Sequence, residues 1–253
     1  MDILTEIRMR PITVPAALLA AALLPSLALA QESCYVAPTL GAPDSQPKLQ
    51  AISLERERVH FIKDGIEQPG CPKNTAACTE KRYLVADDRV IVTGIQGDYA
   101  CATYTGYAPT FPTTTGLLPR SALVDVPIRP NADWTGIWRS GDEQEIDIKA
   151  AAGGAISIEG NATFGGSDPE RVARGAINVG QIGGTLTPVN GKAAFSAGDD
   201  GEAAPYDANP GDESVCRVRL WRLGPYLVAA DNLMCGGMNV TFTGVYGRGK
   251  AGK

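Results

Sequence analysis

The sequence is nearly without histidine: His60 is the only one in 253 residues. A Ser-His-Asp or Cys-His arrangement uses a histidine to move its proton, so only His60 could serve. It sits in Arg58-Val59-His60-Phe61-Ile62, which alternates as a half-exposed strand does, and a structural histidine is the plainer reading. Zinc sites want cysteine and histidine at paired spacings, and the Cys71-to-Cys78 gap does not provide one. No metal, cofactor or catalytic residue is expected, and an enzyme is the last of the readings. A basic excess is also missing. The formal net charge is −5, against the basic face that nucleic acid requires. Over 134–246 no convincing helix occurs, and beyond residue 30 no apolar run reaches the ~20 residues of a membrane span.

The first thirty residues read as a signal peptide. Arg8 and Arg10 form a weakly basic start, Ala16 to Leu29 is almost all Ala and Leu with Pro25 near its end, and Leu27-Ala28-Leu29-Ala30 supplies a small-x-small cleavage pattern. Cleavage after Ala30 leaves Gln31 as the mature start, and Met9 is an alternative initiator. Cys34 follows Gln31-Glu32-Ser33, a poor lipid-attachment box, so export to the periplasm or medium is expected. The removed segment carries two acids and two bases, so the net charge does not change.

Six cysteines in an exported chain imply three disulfides and leave no thiol nucleophile. Cys216 and Cys235 lie far from the others and should pair; closing 19 residues, that bond is worth ~3 kcal/mol in the chain-entropy picture. Cys34, Cys71, Cys78 and Cys101 allow three pairings. Cys71–Cys78, pinning a loop, with Cys34–Cys101, tying the lead-in down, is favoured.

Alternation and turn signals divide the rest. Residues 31–57 are rich in Pro, Gly and polar residues and read as an irregular lead-in. Strands follow around Val59–Ile62, Tyr83–Val85, Val90–Val92 and Tyr99–Tyr104. After a threonine- and proline-rich loop, Gly116-Leu117-Leu118-Pro119-Arg120-Ser121-Ala122-Leu123-Val124 closes the unit. Pro127 and Pro130 mark a linker over 127–133, giving domains 31–126 and 134–253. The second domain opens with Trp134-Thr135-Gly136-Ile137-Trp138, in which Trp134, Gly136 and Trp138 share one strand face. Seven or eight short strands follow, with hairpin signals at Gly153-Gly154, Asn190-Gly191 and Gly224-Pro225. The fold class is all-β: a small barrel, then an antiparallel barrel or sandwich.

The run from Tyr83-Leu84-Val85 through Asp88-x-Val90 and Cys101 to Gly116-Leu117-Leu118-Pro119 and Leu123-Val124 resembles a bacterial Src-homology-3 domain over residues ~80–126. That resemblance implies a five-stranded barrel that binds cell-wall peptides or proteins without catalysis. Leu117 stands where that family often carries a groove tryptophan, so a conventional peptide groove is not implied. The Gly136-x-Trp138 opening is similar to that of lipocalin-like and avidin-like barrels.

Candidate sites follow. Tyr99, Tyr104, Tyr107 and Phe111 cluster near one loop, and Tyr104, Tyr107 and Phe111 are the candidates for ligand recognition; the plainer reading is that one or two of the four cover the core or pack against the second domain. Trp134 and Trp138 either line a cavity or plug a barrel end. Glu143, Glu145 and Asp147 alternate with isoleucines and read as a solvated face rather than acid/base groups. Arg217, Arg219 and Trp221 share a face and read as a surface ladder. Residues 198–214 carry six acids and no base, lack ordered calcium-loop spacing, and would attract a basic partner. The leading expectation is an exported, non-catalytic envelope protein that binds peptidoglycan or a periplasmic protein. An inhibitor of a basic hydrolase such as lysozyme, or a carrier of a small apolar ligand, are the alternatives. Nothing in the sequence sets an oligomeric state.

Overall fold

Period-two alternation organises almost every element. The structure, a computed structural model, describes residues 34, 40–41, 44–128, 132–197, 203–208 and 210–249. The expected signal segment, residues 129–131 of the linker and residues 198–202 of the acidic loop lie outside them. The fold is all-β: two antiparallel sheets, one a half-barrel and one a nearly closed barrel.

The first sheet contains β1 (Lys48–Ile52), β2 (Arg58–Ile62), β3 (Thr79–Val85), β4 (Arg89–Gln96), β5 (Tyr99–Thr105), β6 (Thr113–Pro119) and β7 (Leu123–Asp125), in the order β3-β2-β6-β5-β4-β1-β7. A single 3-10 turn, Arg120–Ala122, joins β6 to β7. Ile52, Val59, Phe61, Leu84, Val90, Val92 and Leu118 fill its concave side. One strand corrects the sequence reading. The lead-in is not irregular throughout, because Lys48-Leu49-Gln50-Ala51 alternates and forms β1, inserted between β4 and β7.

The second sheet contains β8 (Gly136–Ser140), β9 (Gln144–Ala150), β10 (Ile156–Phe164), β11 (Asn178–Leu186), β12 (Lys192–Ala197), β13 (Ala203–Pro205), β14 (Arg217–Leu223), β15 (Tyr226–Asp231) and β16 (Gly244–Arg248). Its order is β11-β10-β9-β8-β16-β15-β14-β12-β13. The nine strands exceed the expected seven or eight; β13 arises inside the stretch read as an acidic loop. The ends nearly meet at Gly184 of β11, where a side chain would come within 2.3 Å of the Ala203 methyl. A second correction is the helix α1 (Pro169–Ala173) in the polar stretch after β10. Pro169 begins it, and the Asp168 carboxylate accepts from the amides of Glu170 and Arg171, a normal N-cap.

The barrel axis is filled by its own side chains. Trp138, Tyr246, Phe195, Phe242, Ile146 and Ile148 are all fully buried along it. The disulfides are Cys34–Cys101, Cys71–Cys78 and Cys216–Cys235, so all six cysteines are paired. Two of them pack with Ile62 and Leu117 in a small core of their own. Three disulfides are the chemistry of an oxidising, extracellular or periplasmic compartment. Among the described residues no helix is long and apolar enough to cross a membrane.

The two sheets share a core. On β14, Val218, Leu220 and Arg222 point into the barrel, whereas Trp221 and Leu223 point out. They meet Leu40, Leu49 and Ile91, together with Val228, Ala230 and Val245. The face read as a surface ladder is therefore half an interface. Arg219 lies 5.3 Å over the Trp221 ring, as its position on the same face requires, and its guanidinium donates to the Leu40 and Gly41 carbonyls. Trp221→Ala should cost about 3–5 kcal/mol, the range for emptying a packed aromatic site. Because Trp221, on β14, packs against Leu49 and Ile91 of the first sheet, unfolding followed by tryptophan fluorescence and by circular dichroism should stay a single coincident transition. Loss of only the second sheet's signal would show that the shared core does not couple them.

Candidate functional site

A groove of about 850 Å³ lies among β1, β4, β7 and the turns beside them. One wall comes from the polar side of β1 and from β7. Lys48 and Gln50 alternate with the buried Leu49 and Ala51, and Asp125 lies opposite Gln50 in the ladder. The Gln50 amide donates to Asp125 Oδ1 at 2.7 Å, which holds both planar groups in place. The other wall comes from the β4–β5 turn, with Asp98 and the half-buried Tyr99. The 3-10 turn adds Arg120, whose amide donates to the Asp98 carbonyl and whose guanidinium donates to the Gly97 carbonyl. Val92 and Leu123 form apolar parts of the lining. The groove thus combines an aromatic ring, two carboxylates, two cations and the amides of Gln46, Gln50 and Asn74.

Sequence reasoning did not find this groove. Gln50 and Asp125 are 75 residues apart, and only the insertion of β1 beside β7 joins them. The usable signal was the alternation in Lys48–Ala51.

The loop aromatics have different surroundings. Tyr107 is 82% exposed at the loop tip. Tyr104, on β5, is half-buried; burial first, then its hydrogen bond with Tyr107 and the nearby Asp88 carboxylate, push its phenol up to about 12. Phe111 does not join them. Its ring lies on Gly247 of β16, where a Cβ would fall 2.2 Å from the ring, so only glycine leaves room for it. The Gly141 amide also donates to the Phe111 carbonyl. Phe111 is therefore a wedge between the sheets, and Tyr107 is the freest ring of the three.

Trp134 and Trp138 close one end of the barrel. The Trp138 indole N–H donates to the Trp134 carbonyl at 2.9 Å, and both rings belong to the main core. Arg222 and Arg248 lie over the Trp138 ring at 4.6 and 5.2 Å. The buried Arg222 donates to the carbonyls of Asp133, Gly224 and Tyr226. Burial, then repulsion from Arg248, lowers its pKa to about 10, which leaves it protonated at neutral pH. Arg248 donates to the Asp133 carboxylate at 2.7 Å and to the Thr135 carbonyl. Position 222 falls on the inward face by the alternation of β14, so this buried charge was readable from strand phase.

The carboxylates once weighed as acid/base groups are engaged on the outer face. Glu145 pairs with Arg139 at 2.6 Å, Asp147 with Lys149 at 3.2 Å, and Glu143 accepts from the amide and hydroxyl of Ser167. No protein-family model matches this chain, and no curated protein or solved structure matches it either.

The Arg248 guanidinium, then the Thr135 hydroxyl and amide, hold the Asp133 carboxyl down at about 2. A depressed carboxyl stabilises the fold above its unfolded value of ~3.9 and loses that contribution as pH falls through the folded value. Asp133→Asn should therefore lower the thermal midpoint at pH 7, and the gap to the parent should close between about pH 4 and 2. A gap that stays constant across that range would show that the carboxylate's charge is not what matters.

Proposed function

We propose that this is an exported, non-catalytic binding protein of the bacterial envelope and that it recognises cell-wall material. The observation that carries the reading is the polar groove with Tyr99 at its wall. A glycan offers hydroxyls on its rim and C–H groups on its ring faces. Planar amide and carboxylate groups meet the first, and a half-buried phenol ring meets the second. The Gln50–Asp125 bond and the anchored 3-10 turn hold that wall in shape before any ligand arrives, which lowers the ordering cost of binding. The mixture of Asp98 and Asp125 with Lys48 and Arg120 suits a polymer that carries both charged peptide and neutral sugar.

Other features support the same reading. Three disulfides fit export, and the first thirty residues fit a signal peptide cleaved after Ala30. The succession of β6, a 3-10 turn and β7 over Gly116–Asp125 agrees with the Src-homology-3 resemblance. The filled axis of the second barrel favours recognition on the surface over carriage inside.

Purified mature protein should co-sediment with insoluble peptidoglycan at both low and high salt. Tyr99→Ala combined with Asp125→Ala should weaken retention by about tenfold, as loss of a central aromatic and its polar neighbour does in binding sites. Tyr99 also packs against the core of Cys34, Ile62 and Cys101, so Asp125→Ala alone, at an exposed position, should weaken retention with the thermal midpoint within a few degrees of the parent. Absence of retention by the parent protein at either salt, or unchanged retention by either variant, would remove cell-wall material as the ligand of this groove.

A further inference from the structure

A second surface lies at the barrel end opposite the tryptophan plug. The ladders place four connections there: the β8–β9 turn, the α1 segment between β10 and β11, the stretch before β14, and residues 232–243 between β15 and β16. Residues 232–246, Asn-Leu-Met-Cys-Gly-Gly-Met-Asn-Val-Thr-Phe-Thr-Gly-Val-Tyr, contain no charged side chain. Leu233, Met234 and Met238 nevertheless face solvent, and Val179 and Val172 join them from β11 and α1. These five are between 48% and 78% exposed.

This tip is held rigidly. Cys235 is bonded to Cys216. Gly236 bridges to Gly180, the Gly237 amide donates to the Val179 carbonyl at 3.0 Å, and the Asn178 amide donates to the Met238 carbonyl at 2.6 Å. Asp231 anchors the return, accepting from the hydroxyls of Thr241 and Thr243. Exposing apolar side chains on a fixed loop is costly in water, and such patches mark interaction sites. Methionine adds a flexible, polarisable contact that adapts to a partner's shape.

The surroundings choose the partner. Asp142, Glu170, Asp207, Asp212 and Glu213 are exposed around the tip. Asn232 donates to the Val215 carbonyl, which ties the stretch that carries Asp212 and Glu213 to the start of the 232–243 loop. Two cations share these connections, Arg171, which lies over the Phe164 ring at 4.7 Å, and Arg217, which donates to the Tyr206 and Asp212 carbonyls; with the exposed Arg174 they are fewer than the five acids and leave the rim acidic. An apolar centre with an acidic rim complements an apolar centre with a basic rim.

We propose that this barrel end docks a cationic protein segment that also carries apolar side chains, independently of the groove on the first sheet. The test is fluorescence-anisotropy titration of the mature protein with two defined probes. One is an amphipathic lysine–leucine peptide of about 18 residues; the other is oligolysine of equal charge. The lysine–leucine peptide should bind at least about tenfold more tightly, since only it can cover the apolar centre. Leu233→Ser with Met238→Ser should abolish that advantage while the thermal midpoint stays put, because both residues are exposed. Asp212→Asn with Glu213→Gln should weaken binding several-fold and flatten its salt dependence. Equal affinity for both probes, absence of peptide binding, or indifference to the serine substitutions overturns the proposal. So does sedimentation showing that the tip pairs two copies of this chain, or flotation showing that it inserts into zwitterionic vesicles.

Discussion

The constraint on which the structure depends is two-faced burial of β14, β15 and β16. A barrel strand ordinarily turns apolar residues inward and polar ones outward. Here Leu220, Leu227 and Tyr246 fill the inside while Trp221, Val228 and Val245 are apolar on the outside. That outer face cannot remain in water without exposing a large apolar area. The half-barrel covers it with Leu40, Leu49 and Ile91. The position of the first sheet is thus dictated by the second, and Phe111 on Gly247 extends the same contact. Leu49 sits at the centre of this dependence. Its outward packing on Trp221 turns Lys48 and Gln50 toward the opposite face, where they become a wall of the groove.

The ends of the barrel are treated differently, and the chemistry explains why. At one end, Trp138 is covered by two arginines whose donors are spent on backbone carbonyls and on Asp133. A buried cation is tolerable when it is fully hydrogen-bonded and lies over an aromatic face. At the other end, a disulfide and a glycine bridge hold the loop instead, and the apolar side chains project outward. Closure by satisfied polar groups buries the tryptophan rings of one end. Closure by backbone and sulfur leaves the other end's side chains available.

Much of the architecture was legible because it depends on local rules. Asn190 and Gly191 both take positive φ, at 51° and 74°, as a tight hairpin demands. The Cys216–Cys235 bond followed from placement, and the other two disulfides are the favoured one of three possible pairings. The run Leu227-Val228-Ala229-Ala230 also carried the two-faced burial, since continuous apolar strands are the mark of coverage on both sides. It was the adjoining Arg217, Arg219 and Trp221 that suggested a solvent face. An arginine flanking an interface tryptophan looks the same in sequence as one on a surface, because its stem can pack while its guanidinium reaches a carbonyl. The groove was hidden for another reason. It is made by residues from β1, β5 and β7 that meet only through strand insertion, which alternation alone does not predict.

The two candidate surfaces differ physically. The groove is polar, shaped by hydrogen bonds between its own walls, and lies on a sheet whose apolar face is already used. Its contribution to binding must come from hydrogen bonds and one aromatic face, which suits a hydrophilic polymer with many weak repeats. The barrel tip is apolar at its centre and acidic at its rim, and its rigidity comes from covalent and backbone contacts. Burial of Leu233 and Met238 would supply affinity there, while the rim charges would set encounter rate and partner choice. The two chemistries differ, so a chain that uses both surfaces would hold a polymer on one side and a cationic protein on the other.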